Sequence, residues 1–143
     1  MYEILKAIAA VQTGDPAADQ FGFMYARRDF QNLYNELEPN KPVIVLDPVV
    51  IDSNFSEMGV VESVVYSGSF MILMSSDIDE TDYDYRYQNY IKPLLTGALL
   101  TIKASLICDY PSTIEVWRTT EVINVLDYNF DGILINYRIL RDA

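Results

Sequence analysis

The chain has 143 residues, 50% of them apolar, and carries 21 acidic against 10 basic side chains for a net charge of −11. It has no histidine and a single cysteine, Cys108, which excludes Ser-His-Asp and Cys-His nucleophiles, zinc sites built on histidine, and an internal disulfide. So acidic a chain repels phosphate on average, and only "ARR" at 26–28 offers adjacent cations, so tight binding of nucleic acid is not expected.

The length fits one domain over 1–143, with an N-terminal helical region at 1–40 and a sheet plus long helix over 43–140. The first residues are acidic rather than basic and make a poor secretory signal. No uninterrupted apolar run approaches the roughly 20 residues of a membrane helix, so no membrane association is expected.

Met1, Ile4, Leu5, Ile8 and Val11 share one face at helical spacing, which predicts an amphipathic first helix broken by Gly14, Asp15 and Pro16. Asp15 as cap and Pro16 in the first turn then predict a second helix, its buried stripe Phe23, Ala26, Phe30, Leu33, Tyr34 and Leu37. In "KPVIVLDPVVI", Pro42 and Pro48 cannot donate to a ladder, so the run reads as an edge strand or extended segment. Residues 52–61, "DSNFSEMGVV", read as a loop.

"ESVVYSGSFMILM" alternates, with Val64, Tyr66, Phe70, Ile72 and Met74 on one face, and predicts the strongest strand. A long helix follows at about 82–107, its apolar face formed by Tyr83, Tyr87, Tyr90, Ile91, Leu94, Ala98, Ile102 and Leu106. Pro93 should kink it, or divide it in two near Lys92. "STIEVWRTTEVINVL" and "GILINYRIL" read as closing strands. The order α-α-β-β-α-β-β predicts an α+β fold, an antiparallel sheet of about four strands with the long helix packed across it.

Two acidic stretches invite a metal reading. In "DYNFDGILINYR", Asp127, Asn129, Asp131 and Gly132 fall where a calcium loop has its first, third, fifth and sixth residues. The twelfth, however, is Arg138 instead of a bidentate Glu, and period-two residues flank the loop where helices should stand. The stretch therefore reads as a β-hairpin with "NFDG" at its tip, Gly132 or Asn129 supplying a positive φ. "DIDETDYD" at 77–84 matches a calcium loop less well, and Thr81 or Asp82 is placed to cap the long helix. No metal, cofactor or catalytic residue is assigned. Among the tyrosines at 83, 85, 87 and 90, Tyr85 lies off the apolar face and is the better candidate for a protein contact.

Taken in order, "RRDFQNLYNEL", "KPVIVLDPVVI", "VVYSGSFMILM", "DIDETDYDYRYQNYI" and "VINVLDYNFDGILINYRI" resemble the tail-completion or tail-terminator-type proteins of the neck of tailed bacteriophages. The resemblance spans about residues 20–140 and is one of pattern and order. It implies a structural virion protein, assembled in the host cytoplasm, that forms a closed homo-oligomeric ring at the head–tail junction. Portal or adaptor and tail proteins would be its partners, and DNA would pass by without specific binding. Asp82, Asp84, Tyr85, Asn129, Phe130 and Asp131 are the expected interface residues, and the "NFDG" tip, the acidic loop at 77–84 and the "DSNFSEMG" loop are the expected docking elements. Two other classes stay open: an acidic DNA mimic that inhibits a basic protein, and a small-ligand binder or carboxylate enzyme with a pocket between the long helix and the sheet.

Overall fold

A computed structural model describes residues 1–10, 21–26, 41–76, 79–125 and 130–142. Helix α1 (Tyr2–Ala9) buries Ile4, Leu5, Ile8 and Ala9, the face that the helical spacing picks out. A four-residue strand, β1 (Gly22–Tyr25), stands within the stretch expected to form the second helix. It runs parallel to β2 (Val43–Leu46), Gly22 opposite Val43 and Tyr25 opposite Leu46. Phe23 and Tyr25 both pack edge-on against Tyr2, at 5.3 and 5.5 Å between ring centroids, while Met24 points to the other face of the sheet. That alternation is the signature of a strand, and aromatic residues fit it better than they fit a helix. Ala26 ends the strand at φ 64°, its N–H donating to the Leu46 carbonyl at 2.7 Å. The rest of the expected second helix lies outside the described residues.

Strand β2 is central, not an edge: β1 flanks it on one side and β4 (Val61–Ser75) on the other, and all four of its residues are buried. The prolines do not forbid this, because Pro42 and Pro48 stand just outside the four residues and every ladder donor is intact. The Pro42 carbonyl even accepts the Gly22 N–H at 2.8 Å.

The expected loop at 52–61 is largely strand. Strand β3 (Val50–Phe55) pairs with the first half of β4, Val50 opposite Ser67, while β2 pairs with the second half, Leu46 opposite Phe70. β2 and β3 thus form one interrupted line along β4. At the interruption Asp47 donates its N–H to the Ser69 carbonyl at 3.1 Å and accepts the Ser69 hydroxyl at 2.7 Å. Gly59, at φ 77°, closes the β3–β4 turn, where the Ser56 N–H reaches the Val60 carbonyl at 2.8 Å.

Helix α2 (Tyr83–Cys108) runs unbroken through Pro93. Wide π turns at Tyr87–Ile91 and Leu94–Ala98 flank the proline. The Lys92 N–H accordingly reaches back five residues to the Tyr87 carbonyl, and the Leu99 N–H to that of Leu94. The wider spacing makes room for a ring that would collide with an ordinary α turn. The helix is long and apolar enough to cross a membrane by length and composition alone. The residues that make it so, Ile91, Leu94, Ala98, Leu99, Ile102 and Leu106, are buried in the main core.

Strands β5 (Thr113–Val125) and β6 (Phe130–Asp142) form the expected closing hairpin. The sheet has six strands in the order β1-β2-β4-β6-β5, with β3 beside β2 along β4. The architecture is therefore mixed α/β, a six-stranded sheet with a long helix packed against it, and both strand number and element order depart from expectation. Its main core joins α1 and α2 to Ile44, Leu46, Phe70, Ile72, Ile133, Ile135, Tyr137 and Ile139. Met24, Val43, Val45, Met71, Leu73 and Phe130 form a second cluster on the opposite face.

The hairpin tip needs a further correction. Phe130 pairs with Val125, so Phe130, Asp131 and Gly132 lie within β6 and the connection falls at 126–129, outside the described residues. Gly132 does not have a positive φ. It is needed for close approach, because a Cβ there would collide with the Ile72 carbonyl oxygen on β4.

Candidate functional site

The start of α2 is built from acids, and each has a local duty. Asp82 is the N-cap, its Oδ1 accepting the N–H groups of Asp84 at 3.0 Å and Tyr85 at 3.3 Å. Such a cap is worth about 1 kcal/mol. The Asp82 N–H in turn donates to Glu80 Oε1 at 2.9 Å. Asp84 is exposed, and Tyr85, also exposed, meets Tyr90 edge-on at 6.2 Å. Tyr83, placed by its spacing on the apolar face, is 64% exposed.

Asp131 sits elsewhere and does something else. It is fully buried, and both its oxygens accept from Arg86 Nη1, at 3.2 and 3.3 Å, while Arg86 Nε donates to the Glu80 carbonyl at 2.9 Å. This pair ties the first turn of α2 to the start of β6. Phe130 is buried as well, so neither residue offers an outward contact surface. Asn129 lies outside the described residues. Of the six expected interface residues, Asp82, Asp84 and Tyr85 stand together on the surface, and Phe130 and Asp131 do not join them. The sixth and twelfth places of the calcium count are also accounted for, by the close approach at Gly132 and by Arg138 pairing with Glu115 at 2.6 Å. Among the described residues no group of three or more Cys, Asp or Glu could hold a metal ion.

The third expected docking element, "DSNFSEMG", belongs to the β3–β4 hairpin. All six residues of β3 are exposed, as are Glu57 to Glu62 around its turn. Val50, Ile51, Phe55, Val60 and Val61 are among them, and Met58 at the tip is 91% exposed. Among the described residues β3 pairs only with β4, and β5, at the other margin of the sheet, pairs only with β6. Val116 and Ile123 are exposed along β5. Unpaired, partly apolar edges of this kind are templates for pairing with another chain.

At the base of the hairpin lies a pocket of about 740 Å³, formed by the start of α1 and by Tyr25, Val49, Ile51, Tyr66 and Arg141. Tyr2, Tyr25 and Tyr66 give it an aromatic lining. Arg141 Nε is shut off from solvent without a hydrogen-bond partner. Burial, and then the Arg141 guanidinium, push the Met1 α-amino group below its usual value against the pull of Glu3. The pocket gathers Arg141 and the Met1 amino group beside one acid, Glu3, in a chain that otherwise has an excess of acids. It lies beside α1, whereas the space between α2 and the sheet is filled by the main core.

One buried group is strained chemically. Tyr137 on β6 lies opposite Gly68 of β4, and its hydroxyl has no hydrogen-bond partner. Burial first, and the Asp47 carboxylate second, push its pKa above the usual tyrosine range. A phenol held protonated in this way is a poor base or nucleophile.

No family model matches the chain, and no curated protein matches it.

Proposed function

We propose that the chain is a non-catalytic structural subunit of a ring at the head–tail junction of a tailed phage, joining portal or adaptor to tail around the DNA channel. The main support is that, among the described residues, one sheet has edge strands at different margins, β1 and β3 along one and β5 along the other. Closing a ring requires that one surface of each subunit meet a different surface of the next. Two unlike edges, one of them on an arm rich in exposed apolar side chains, suit such a head-to-tail contact. The net charge of −11 suits a channel wall past which DNA must slide. The exposed acids and tyrosines at 79–85 are then available to the neighbouring ring in the stack.

Native mass spectrometry of the purified chain, alone and with a portal-side protein, tests this reading. A single closed oligomer of defined subunit number is expected, with no shift of duplex DNA at physiological salt. A chain that stays monomeric at its highest soluble concentration, with and without that protein, would overturn the ring. A monomer that displaces DNA from a basic protein would favour the acidic inhibitor instead.

A further inference from the structure

We propose that the tip of the β3–β4 hairpin, Phe55 to Val60, docks into the tyrosine-lined pocket of a second copy of this chain, with Glu57 meeting Arg141 and Met58 lying among Tyr2, Tyr25 and Tyr66. The inference rests on the ring reading and names the contact that would join its subunits.

Three observations carry it. The tip leaves apolar side chains in water, Met58 above all, which a folded monomer ordinarily avoids concentrating in one projection. The pocket supplies matching surfaces, aromatic rings that favour methionine sulfur and the guanidinium of Arg141 in its lining. Charge is complementary too, since the hairpin carries Asp52, Glu57 and Glu62 and no cation, while the pocket sets Arg141 and the Met1 amino group beside one acid, Glu3.

Geometry selects a second copy as the occupant. Ile51 lines the pocket, and Phe55 lies four strand residues further out, roughly 13 Å at the rise of a β-strand. A paired hairpin does not fold back over its own base, so its tip reaches only the pocket of another molecule. A protrusion that fits a pocket elsewhere on the same surface generates head-to-tail contacts, and these close into rings when the rotation allows.

Charge reversal provides the test. Glu57 and Met58 are exposed turn residues, so E57R and M58D should keep the wild-type circular dichroism and melting behaviour. Each should raise the protein concentration at half-assembly by about tenfold or more, as R141E should, and the double variant E57R/R141E should restore assembly. A second measurement, on C108S carrying M58C and Y25C, should give disulfide-linked chains longer than dimers on non-reducing gels. Wild-type rings whose assembly E57R and M58D leave unchanged would overturn this contact and leave the ring reading standing. Linked dimers and nothing larger would overturn the head-to-tail placement. A wild-type chain that never assembles would overturn both.

Discussion

The two halves of β4 belong to one strand and live in different surroundings. Phe70 to Leu73 are buried, paired on both sides by β2 and β6, and sealed by helices on one face. Val61 and Glu62 are exposed, and their partner β3 is exposed along its whole length. Both halves hold hydrophobic residues, so hydrophobicity alone does not decide which is core. What differs is whether another element of the same chain packs on them. The inner half stabilises the monomer, and Val61, with β3 beside it, keeps apolar surface that no other described residue covers.

Substitutions that separate these roles should differ sharply in effect. The largest loss is expected at the buried ion pair. Asp131→Ala removes the carboxylate that both balances the buried Arg86 charge and accepts its Nη1, and should cost about 3–5 kcal/mol in urea unfolding, whereas the double replacement R86M/D131L should recover most of that loss. If the single and double variants unfold alike, the pair does not clamp α2 to β6 as described.

Gly132→Ala comes next. Its added methyl meets the β4 backbone rather than a flexible side chain, so overpacking should cost about 1–3 kcal/mol or more, read as a lowered melting temperature. A wild-type melt would show that the strands separate easily there.

Tyr137→Phe should act in the opposite direction. It removes a buried hydroxyl that lacks a partner and should leave stability at neutral pH unchanged or raise it by about 1 kcal/mol. Because the folded-state pKa lies above the usual value of 10.0, the tyrosine's contribution is complete below pH 10 and is lost as pH rises toward the folded value. The variant should therefore lose less stability than wild type in alkaline unfolding, and parallel profiles would count against the buried phenol.

The smallest effect on folding should come from the arm. Val50→Ser and Ile51→Ser alter exposed positions and should change the unfolding free energy by no more than about 0.5 kcal/mol, while lowering assembly in sedimentation velocity. A large stability loss would place these side chains in the monomer's own core.

The same division explains how much of the molecule could be read from its residues. The stripe of α1, the alternation of β4, the run of α2 from Ile91 to Leu106 and the β5–β6 hairpin were legible, because each buries a face with its own period. β1 was not, because Phe23 and Ala26 stand three apart, a helical spacing, and only pairing with β2 sets Phe23 and Tyr25 on one face, with Ala26 past the strand's end. β3 was hidden by Asp52, Ser53 and Asn54, polar residues that read as a loop and are tolerated in a strand exposed on both faces. The Arg86–Asp131 pair joins residues 45 positions apart, beyond the reach of local pattern. A signal for it did exist: Arg86 falls between Tyr83 and Tyr90 on the stripe that leads to Ile91, and a cation there calls for a buried acid. The pocket came from folding alone, which brings Arg141 beside residues near the start of the chain.

The gap at Asp47–Val49 also bears on motion. With β2 in the core and β3 resuming only after Pro48, the outer line of this edge is interrupted at three residues, held across by Ser69, while β4 runs unbroken beneath it and pairs with β6 along both halves. Amide exchange should therefore be slow in Val43–Leu46 and quicker in Val50–Phe55, read by hydrogen exchange.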